Sequence, residues 1–270
     1  MKFFIAPLVF LMVLICMDIH AQDFCLGARA RGLANAGIAD SSCWSLFNNP
    51  AGISRISSYR LMVSDEYLYG INQIRSLSAG IIIPVKRSFV LGIHVNKQGY
   101  QWFNDQQIGI HIAHAIRIYS LSASFILWQR IAGEHFREIN PILNIGGTMS
   151  VNKSLQLGLH IFNISNTQHT VQNIPLEVKA GILYKLSRQV LFYGDMVKQS
   201  IQPVNLRMGL EYHIHTYVYL RSGVMLKPMR LNGGIGFATK KVLIDYSISW
   251  QYPLGYRHQL SLLIGINKKK

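Results

Sequence analysis

From about residue 58 to the C-terminus, apolar and polar residues alternate with a period of two. In one segment, Val204, Leu206 and Met208 alternate with Asn205 and Arg207. Successive side chains of a β-strand point to opposite faces, so each such segment has one apolar and one polar face. The alternation therefore predicts an all-β chain built from many half-apolar strands.

About fourteen such segments follow one another, separated by turn sequences. They lie near residues 58–69, 74–84, 88–96, 106–116, 119–129, 138–151, 155–164, 175–186, 190–198, 204–214, 217–226, 229–238, 241–251 and 257–267. A tilted strand needs about ten residues to cross a bilayer. An even number of antiparallel strands can close into a ring, which pairs every backbone group and leaves no edge. The predicted fold is a transmembrane antiparallel β-barrel of about fourteen strands.

The alternative is a soluble β-sandwich with its apolar face inward. Only 14% of the residues are charged, whereas about 25% is typical of soluble domains. Charges facing a sandwich core would also be costly. These points, and the persistence of the pattern over nearly the whole chain, favour the barrel.

The first residues have the pattern of a secretory signal. Lys2 precedes an apolar stretch over residues 3–15, and Ala21 ends a suitable cleavage site. A lipoprotein anchor at Cys16 is disfavoured because Ile15, not a small residue, precedes it. Residues 1–21 are therefore predicted to be a cleaved signal peptide, and the cell outer membrane is the expected location.

Residues 22–57, called the hatch below, are rich in Gly and Ala and lack the period of two. They predict a short helix around 40–47, followed by a tight turn with either a structural or a gating role. The turn motif comprises Asn48, Asn49, Pro50, Ala51 and Gly52. The barrel itself is predicted to occupy residues 58–270.

The hatch also carries a motif that resembles a known family. Its Gly-Ala-rich run over 27–39, the acidic Asp40 and the Asn49-Pro50-Ala51-Gly52 sequence are similar to the N-terminus of the PorV/PorQ group of Bacteroidota envelope proteins, which belong to the FadL-like outer-membrane barrels. The resemblance implies fourteen strands and an N-terminal segment folded into the lumen. The chain differs from that group in Arg31, in its short loops and in its lysine-rich C-terminus.

The polar face of the strands carries several charged residues that would line a barrel lumen. We predict that they form a salt-bridge network around the hatch. The proposed members are Arg29, Arg31, Glu177, Lys179, Arg207, Glu211 and Asp245.

The net charge of +15 is spread over turns and strand ends, and only Lys268, Lys269 and Lys270 form a cluster. Nucleic acid is therefore not an expected partner. Anionic lipid head groups or envelope polysaccharide fit this distribution better. Lipid of the outer membrane is the predicted partner, together with other envelope or secretion-system proteins.

No catalytic motif, cofactor site or metal site is predicted, so the chain is not expected to be an enzyme. The His111/His114 and His213/His215 pairs are close in sequence, but zinc sites need three or four ligands. Cys25 and Cys43 can form a disulfide in an oxidising compartment or remain two buried thiols.

Two functions fit these features. The first, implied by the PorV/PorQ resemblance, is an accessory component of type IX secretion or of surface attachment. The alternative is a FadL-like transporter of hydrophobic or amphiphilic small molecules. A transporter would show a lateral opening, seen as a strand kinked by Pro or Gly beside an apolar pocket. Gly233, Gly234 and Gly236 are candidates for such a kink.

Overall fold

The computed structural model describes residues 26–71, 73–165, 174–200 and 202–266. Within them, fourteen antiparallel strands close into a barrel, as the alternation predicts. The strands are β1 (Tyr59–Leu68), β2 (Arg75–Lys86), β3 (Phe89–Gly99), β4 (Phe103–Ile116), β5 (Tyr119–Ala132), β6 (Phe136–Ser150), β7 (Leu155–Phe162), β8 (Glu177–Lys185), β9 (Val190–Gln199), β10 (Asn205–His215), β11 (Val218–Met225), β12 (Arg230–Ala238), β13 (Val242–Gln251) and β14 (Gly255–Ile266).

The barrel closes where the first strand meets the last. β1 and β14 pair over ten residues, from Tyr59 opposite Ile266 to Leu68 opposite Arg257. We call the end of the barrel at Tyr59 and Ile266 the terminus end, and the opposite end the loop end. The predicted signal peptide, Cys25 and the lysines at 268–270 lie outside the described residues.

The connections differ between the two ends. Those at the terminus end are short and comprise residues 87–88, 117–118, 151–154, 186–189, 216–217 and 239–241. Those at the loop end include the longest connection, residues 163–176, but most of them have only three to six residues. In outer-membrane barrels the shorter turns face the periplasm.

The strands point their apolar side chains outward and their polar ones inward. Phe125 is 44% exposed and Leu260 is 56% exposed on the outer surface, whereas the neighbouring Ser124 and Gln259 are buried. A continuous apolar surface of this size is unfavourable in water and matches the hydrocarbon of a bilayer. Ring closure supplies the backbone pairing that lipid demands.

The hatch contains three short helical pieces: α1 (Ala28–Gly32), α2 (Ser45–Asn48) and a 3-10 helix (Pro50–Arg55). The helix expected around 40–47 is thus shorter and begins later, and the 3-10 helix begins at the position of the expected tight turn. Pro50 explains this second change, because it has no N–H to continue α2 but is well suited to the first turn of a helix. None of the described helices is long and apolar enough to span a membrane.

A charge placed in the middle of the outer surface should destabilise the barrel. We expect Phe125→Arg to lower the free energy of unfolding in lipid vesicles by about 2–4 kcal/mol, and Gln129→Arg, nearer the loop end, by about 0–1 kcal/mol. Urea unfolding in vesicles measures both. Equal effects of the two substitutions would contradict the placement of Phe125 in the middle of the apolar outer surface.

Candidate functional site in the barrel lumen

The described part of the hatch lies inside the barrel, and small residues on both sides allow this. A Cβ atom added to Gly32 would lie 3.3 Å from the Cα atom of Gly234 on β12. A Cβ atom on Gly158 of β7 would collide with the backbone of Ile38, and one on Gly223 of β11 with the backbone of Leu33. The inward glycines therefore provide the clearance that the hatch backbone needs.

Of the three glycines considered as a kink, Gly234 belongs to this clearance. β12 stays paired with β13 along its whole length, from Arg230 to Ala238, so it does not open the wall. An added Cβ atom on Gly236 would press on Asp245 and Arg221, whereas one on Gly233 would meet only Ile248 of β13, at 3.9 Å.

Apolar side chains anchor the hatch near the terminus end. Trp44 and Leu46 of the second helical region and Ile53 of the 3-10 helix are buried. They pack against inward-facing side chains of the wall, namely Met62, Ile82, Val90, Ala113 and Leu263. At this level the lumen is lined by apolar side chains, whereas most of the lumen is polar. Packing of the apolar hatch residues against these wall residues removes both from water and so stabilises the hatch.

Asn49 connects the hatch to two strands. Its side-chain amide donates to the carbonyl oxygens of Ile38 at 2.8 Å, Gly147 of β6 at 3.1 Å and Leu159 of β7 at 3.3 Å. Its side-chain oxygen accepts a bond from the backbone N–H of Ala51 and so caps the 3-10 helix. Asn49 is fully buried. Of the turn motif, Asn49 makes these bonds, Pro50 and Ala51 start the 3-10 helix, and Gly52 packs where a Cβ atom would collide with Asp40 and Ser45.

Arg29 of the hatch is the centre of a buried charge network. It forms ion pairs with Asp40 at 2.5 Å and Glu211 of β10 at 3.0 Å, and it donates a bond to the hydroxyl of Tyr193 at 2.8 Å. Burial by itself lowers the pKa of Arg29, but the Asp40 and Glu211 carboxylates outweigh it and raise that pKa well above its ordinary value. The guanidinium therefore stays charged.

The same network continues along the wall. Arg221 of β11 lies opposite Glu211 in the strand register and forms an ion pair with it at 2.6 Å. It forms a second ion pair, also at 2.6 Å, with Asp245 of β13. One chain of contacts thus links the hatch to four strands, β9 to β11 and β13.

Arg31 belongs to a separate cluster. Glu66 of β1 forms ion pairs with Arg31 at 2.8 Å and with Arg257 of β14 at 2.9 Å. All three side chains are about 99% buried. Glu66 therefore holds the hatch at the seam where the barrel closes.

The predicted network residues are thus divided among several contacts. Arg29, Glu211 and Asp245 come together through Arg221, and Arg31 pairs with Glu66. Glu177 and Lys179 pair with each other at 3.3 Å. Arg207 lies opposite Asp195 in the strand register. Asp195 accepts bonds from the backbone N–H groups of Gly37 at 2.6 Å and Ile38 at 3.1 Å.

Sequence reasoning missed Asp40, Glu66, Asp195, Arg221 and Arg257 as members of these contacts. Arg221 and Arg257 lie at inward positions of predicted strands, so the period of two contained the signal. Their partners depend on the strand register, which the alternation alone does not fix.

The histidines considered as ligand pairs differ in their placement. His111 points inward and His114 outward; the Nδ1 atom of His111 lies 2.8 Å from the hydroxyl of Ser124, and its Nε2 atom lies 2.6 Å from Nδ1 of His94. His213 contacts Glu211 at 3.1 Å and lines the same open cavity as the more exposed His215. Within the described ranges, no group of three or more potential ligands could hold a metal ion.

Cys43 is half-buried next to the apolar anchor of the hatch. Burial raises the pKa of its thiol to about 11, so the thiol is protonated at neutral pH. Its pairing with Cys25 stays a prediction, because Cys25 is outside the described residues.

An open cavity of about 450 Å³ lies at the terminus end. It is lined by Gln189, His213, Ile214, His215, Thr216 and Tyr219. His213, which contacts Glu211, therefore lies between this cavity and the buried network.

A second feature lies at the loop end. The side chains of Ile126, Trp128 and Ile142 form an inward apolar cluster with Phe162 and with Ile174 from the 163–176 connection. This apolar cluster contrasts with the charged residues deeper in the lumen.

The wall beside this apolar cluster has an irregular junction. β6 spans Phe136–Ser150, but among the described residues its regular pairing with β7 ends where Ile145 lies opposite Ile161. There the backbone N–H of Asn163, which has a positive φ of 56°, bonds to the side-chain oxygen of Asn144, and the N–H of Ile164 bonds to the carbonyl oxygen of Leu143. Pro141 lies on the outward face of the adjoining part of β6. The irregular junction therefore lies beside an apolar cluster and next to a proline.

Comparison with solved structures shows the same fold elsewhere. The TM-score is 0.68 to a Pseudomonas aeruginosa FadL homologue, with 11% identity over 90% of this chain and 98% of that chain. It is 0.64 to the P. putida toluene transporter TodX and 0.68 to a deltaS2 mutant of TodX, each with 9% identity over 90% of this chain and 99% of the other. No protein-family model and no curated protein matches the chain. The FadL-like fold is confirmed, and membership of the PorV/PorQ group stays a prediction.

Glu66→Gln removes the carboxylate that two buried arginines share. We expect a loss of about 3–5 kcal/mol in the free energy of unfolding, since the charges that remain are buried. Asp65→Asn is the matched control, because Asp65 pairs with Arg75 at the partly exposed surface and should cost less than about 1 kcal/mol. Urea unfolding in vesicles compares them, and similar losses would exclude a special role for Glu66.

Asn49→Ala should lower stability by about 1–3 kcal/mol, because buried carbonyl groups lose their partner. Asn48→Ala is the control, since the neighbouring Asn48 is also buried, whereas the bonds to β6 and β7 come from Asn49. Limited proteolysis should cut the hatch faster in the Asn49 variant. Equal cleavage of both variants would show that Asn49 does not anchor the hatch.

Proposed function

We propose that the chain is an outer-membrane transporter of hydrophobic or amphiphilic small molecules. The apolar cluster at the loop end would receive the solute, and the irregular junction of β6 and β7 would be the place where it leaves sideways into the membrane. The observation that carries this proposal is the position of the cluster directly beside the irregular junction.

The chemistry of the lumen favours a sideways route. Below the apolar cluster the lumen contains the hatch and buried charges, including Arg29, Glu211 and Arg221. An apolar solute gains nothing from such surroundings and would have to displace strong ion pairs. The apolar cluster, by contrast, lies beside the irregular junction of β6 and β7 and contains no charged side chain among its described members.

Ile174 shows how the site could be occupied. It comes from a connection rather than from the wall, and its apolar side chain packs in one cluster with Ile126, Trp128 and Ile142. A solute that takes its place would bury similar apolar surface. Each additional methylene group should contribute about 0.8 kcal/mol, or roughly a fourfold gain in affinity.

The similar structures support transport. The solved TodX structures are described as a toluene transporter and a monoaromatic hydrocarbon channel. A monoaromatic hydrocarbon is therefore the first solute to test. The same similarity supports an outer-membrane location and a role without catalysis.

The accessory role in secretion has less support. Apart from residues 163–176, the connections at the loop end are short, so they offer little surface for holding a protein. The resemblance of the hatch to the PorV/PorQ group is the feature in favour of that role.

Ile142→Asn should reduce uptake of toluene about tenfold in cells that depend on this protein, since an unpartnered amide in an apolar site costs about 1–3 kcal/mol. Ile82→Asn is the matched control, because both isoleucines are fully buried but Ile82 packs against the hatch. Uptake is measured per folded barrel, counted by its gel mobility without heating. Ethylbenzene and propylbenzene should compete progressively better than toluene.

Uptake no greater than that of cells without the protein would refute the transport proposal. Equal losses in the two variants would refute the placement of the site. Normal uptake with loss of secreted proteins from the cell surface in a deletion strain would favour the accessory role instead.

A further inference from the structure

The exposed basic residues of the barrel are concentrated at the terminus end. Nine of them lie in the turns there or directly beside them. We call this set the basic rim; it consists of Arg55, Lys86, Arg87, Arg117, Lys153, Lys185, Arg188, Lys240 and Lys241. In sequence these residues are scattered, and only ring closure brings them to one level.

Acidic residues do not balance this charge. The six connections at the terminus end and the strand ends beside them contain no Asp or Glu. None of the nine forms an ion pair with the residues that the structure describes; Arg55 instead donates to the carbonyl oxygen of Arg117. At the loop end, by comparison, Asp65, Glu134 and Glu138 accompany the basic residues.

The basic rim lies next to the apolar outer surface of the barrel. Arg117 stands between the exposed Ile116 and Ile118, and Lys185 between the exposed Tyr184 and Leu186. Long basic side chains at such a boundary keep their stems on apolar surface and extend their charges to the level of lipid head groups. The position thus matches the phosphate layer of a leaflet.

The distribution around the circumference identifies the partner. Five of the six turns at this end carry a Lys or an Arg, and the sixth, after β10, follows His215. A protein partner would require a patch on one side. A continuous ring fits a partner that surrounds the barrel, and a lipid leaflet is such a partner.

We propose that the basic rim binds the head groups of anionic phospholipids in the leaflet at the terminus end. This would fix the depth of the barrel and enrich anionic lipid around it. The proposal depends on the membrane barrel but not on what the barrel transports.

The test measures the association of spin-labelled lipids with the barrel reconstituted in phosphatidylcholine vesicles. For the wild type we expect phosphatidylglycerol to bind about fivefold more strongly than phosphatidylcholine, the effect of one Lys or Arg near one anionic head group. The preference should fall at high salt, because exposed charges are screened.

The variant K86Q/R87Q/K240Q/K241Q removes four charges from the basic rim and should bring the ratio close to one. The control K97Q/R137Q/K198Q/K227Q removes four charges from the loop end and should leave the ratio nearly unchanged. Both variants are first checked for folding by gel mobility.

Equal association of the two lipids with the wild type would overturn the proposal, and so would equal effects of the two variants. A soluble acidic polymer that competes off the bound phosphatidylglycerol and depends on the same four residues would also overturn it. In that case the basic rim would be a site for an acidic macromolecule.

Discussion

Backbone pairing in a medium without water is the constraint on which this structure depends. Every amide in the wall must find a partner within the protein, and the ten-residue ladder between β1 and β14 completes that condition. Closure then decides where polar side chains can go. They cannot face the hydrocarbon, so they point into the lumen. A lumen lined with buried polar groups needs partners, and the hatch supplies them with Arg29, Arg31 and its own backbone.

The hatch is held by three different kinds of contact at different heights. Apolar packing around Trp44 and Ile53 fixes it near the terminus end, Asn49 bonds it to β6 and β7, and ion pairs hold its first helix. Buried ion pairs add little net stability, but breaking one is expensive because the remaining charge is stranded. The arrangement therefore favours a hatch that stays in one position. The loop end differs, since its apolar cluster includes Ile174, which belongs to a connection and not to the wall.

The sequence predicted the barrel well because alternation is local. Each strand needs only its own residues to show an apolar and a polar face, and the strand number follows by counting. The partners of the charges were not predictable in this way. Glu66 meets Arg257 only because the first and last strands close the ring, and Glu211 meets Arg221 only in one register. Pro50 is a local cause for the start of the 3-10 helix. The irregular junction of β6 and β7 depends instead on how a connection folds, which no periodicity encodes.

The inward glycines have a consequence for how such a protein can vary. At Gly158, Gly223 and Gly234 the wall leaves space for the backbone of the hatch, so the wall and the hatch have complementary shapes. A methyl group added to one of these glycines would require the facing backbone of the hatch to move away. The hatch of a related barrel would therefore not fit this wall, even if the strands matched in number and length. Substitutions in the wall and in the hatch are therefore expected to occur together. The reason is the close packing of the two parts, whatever the lumen transports.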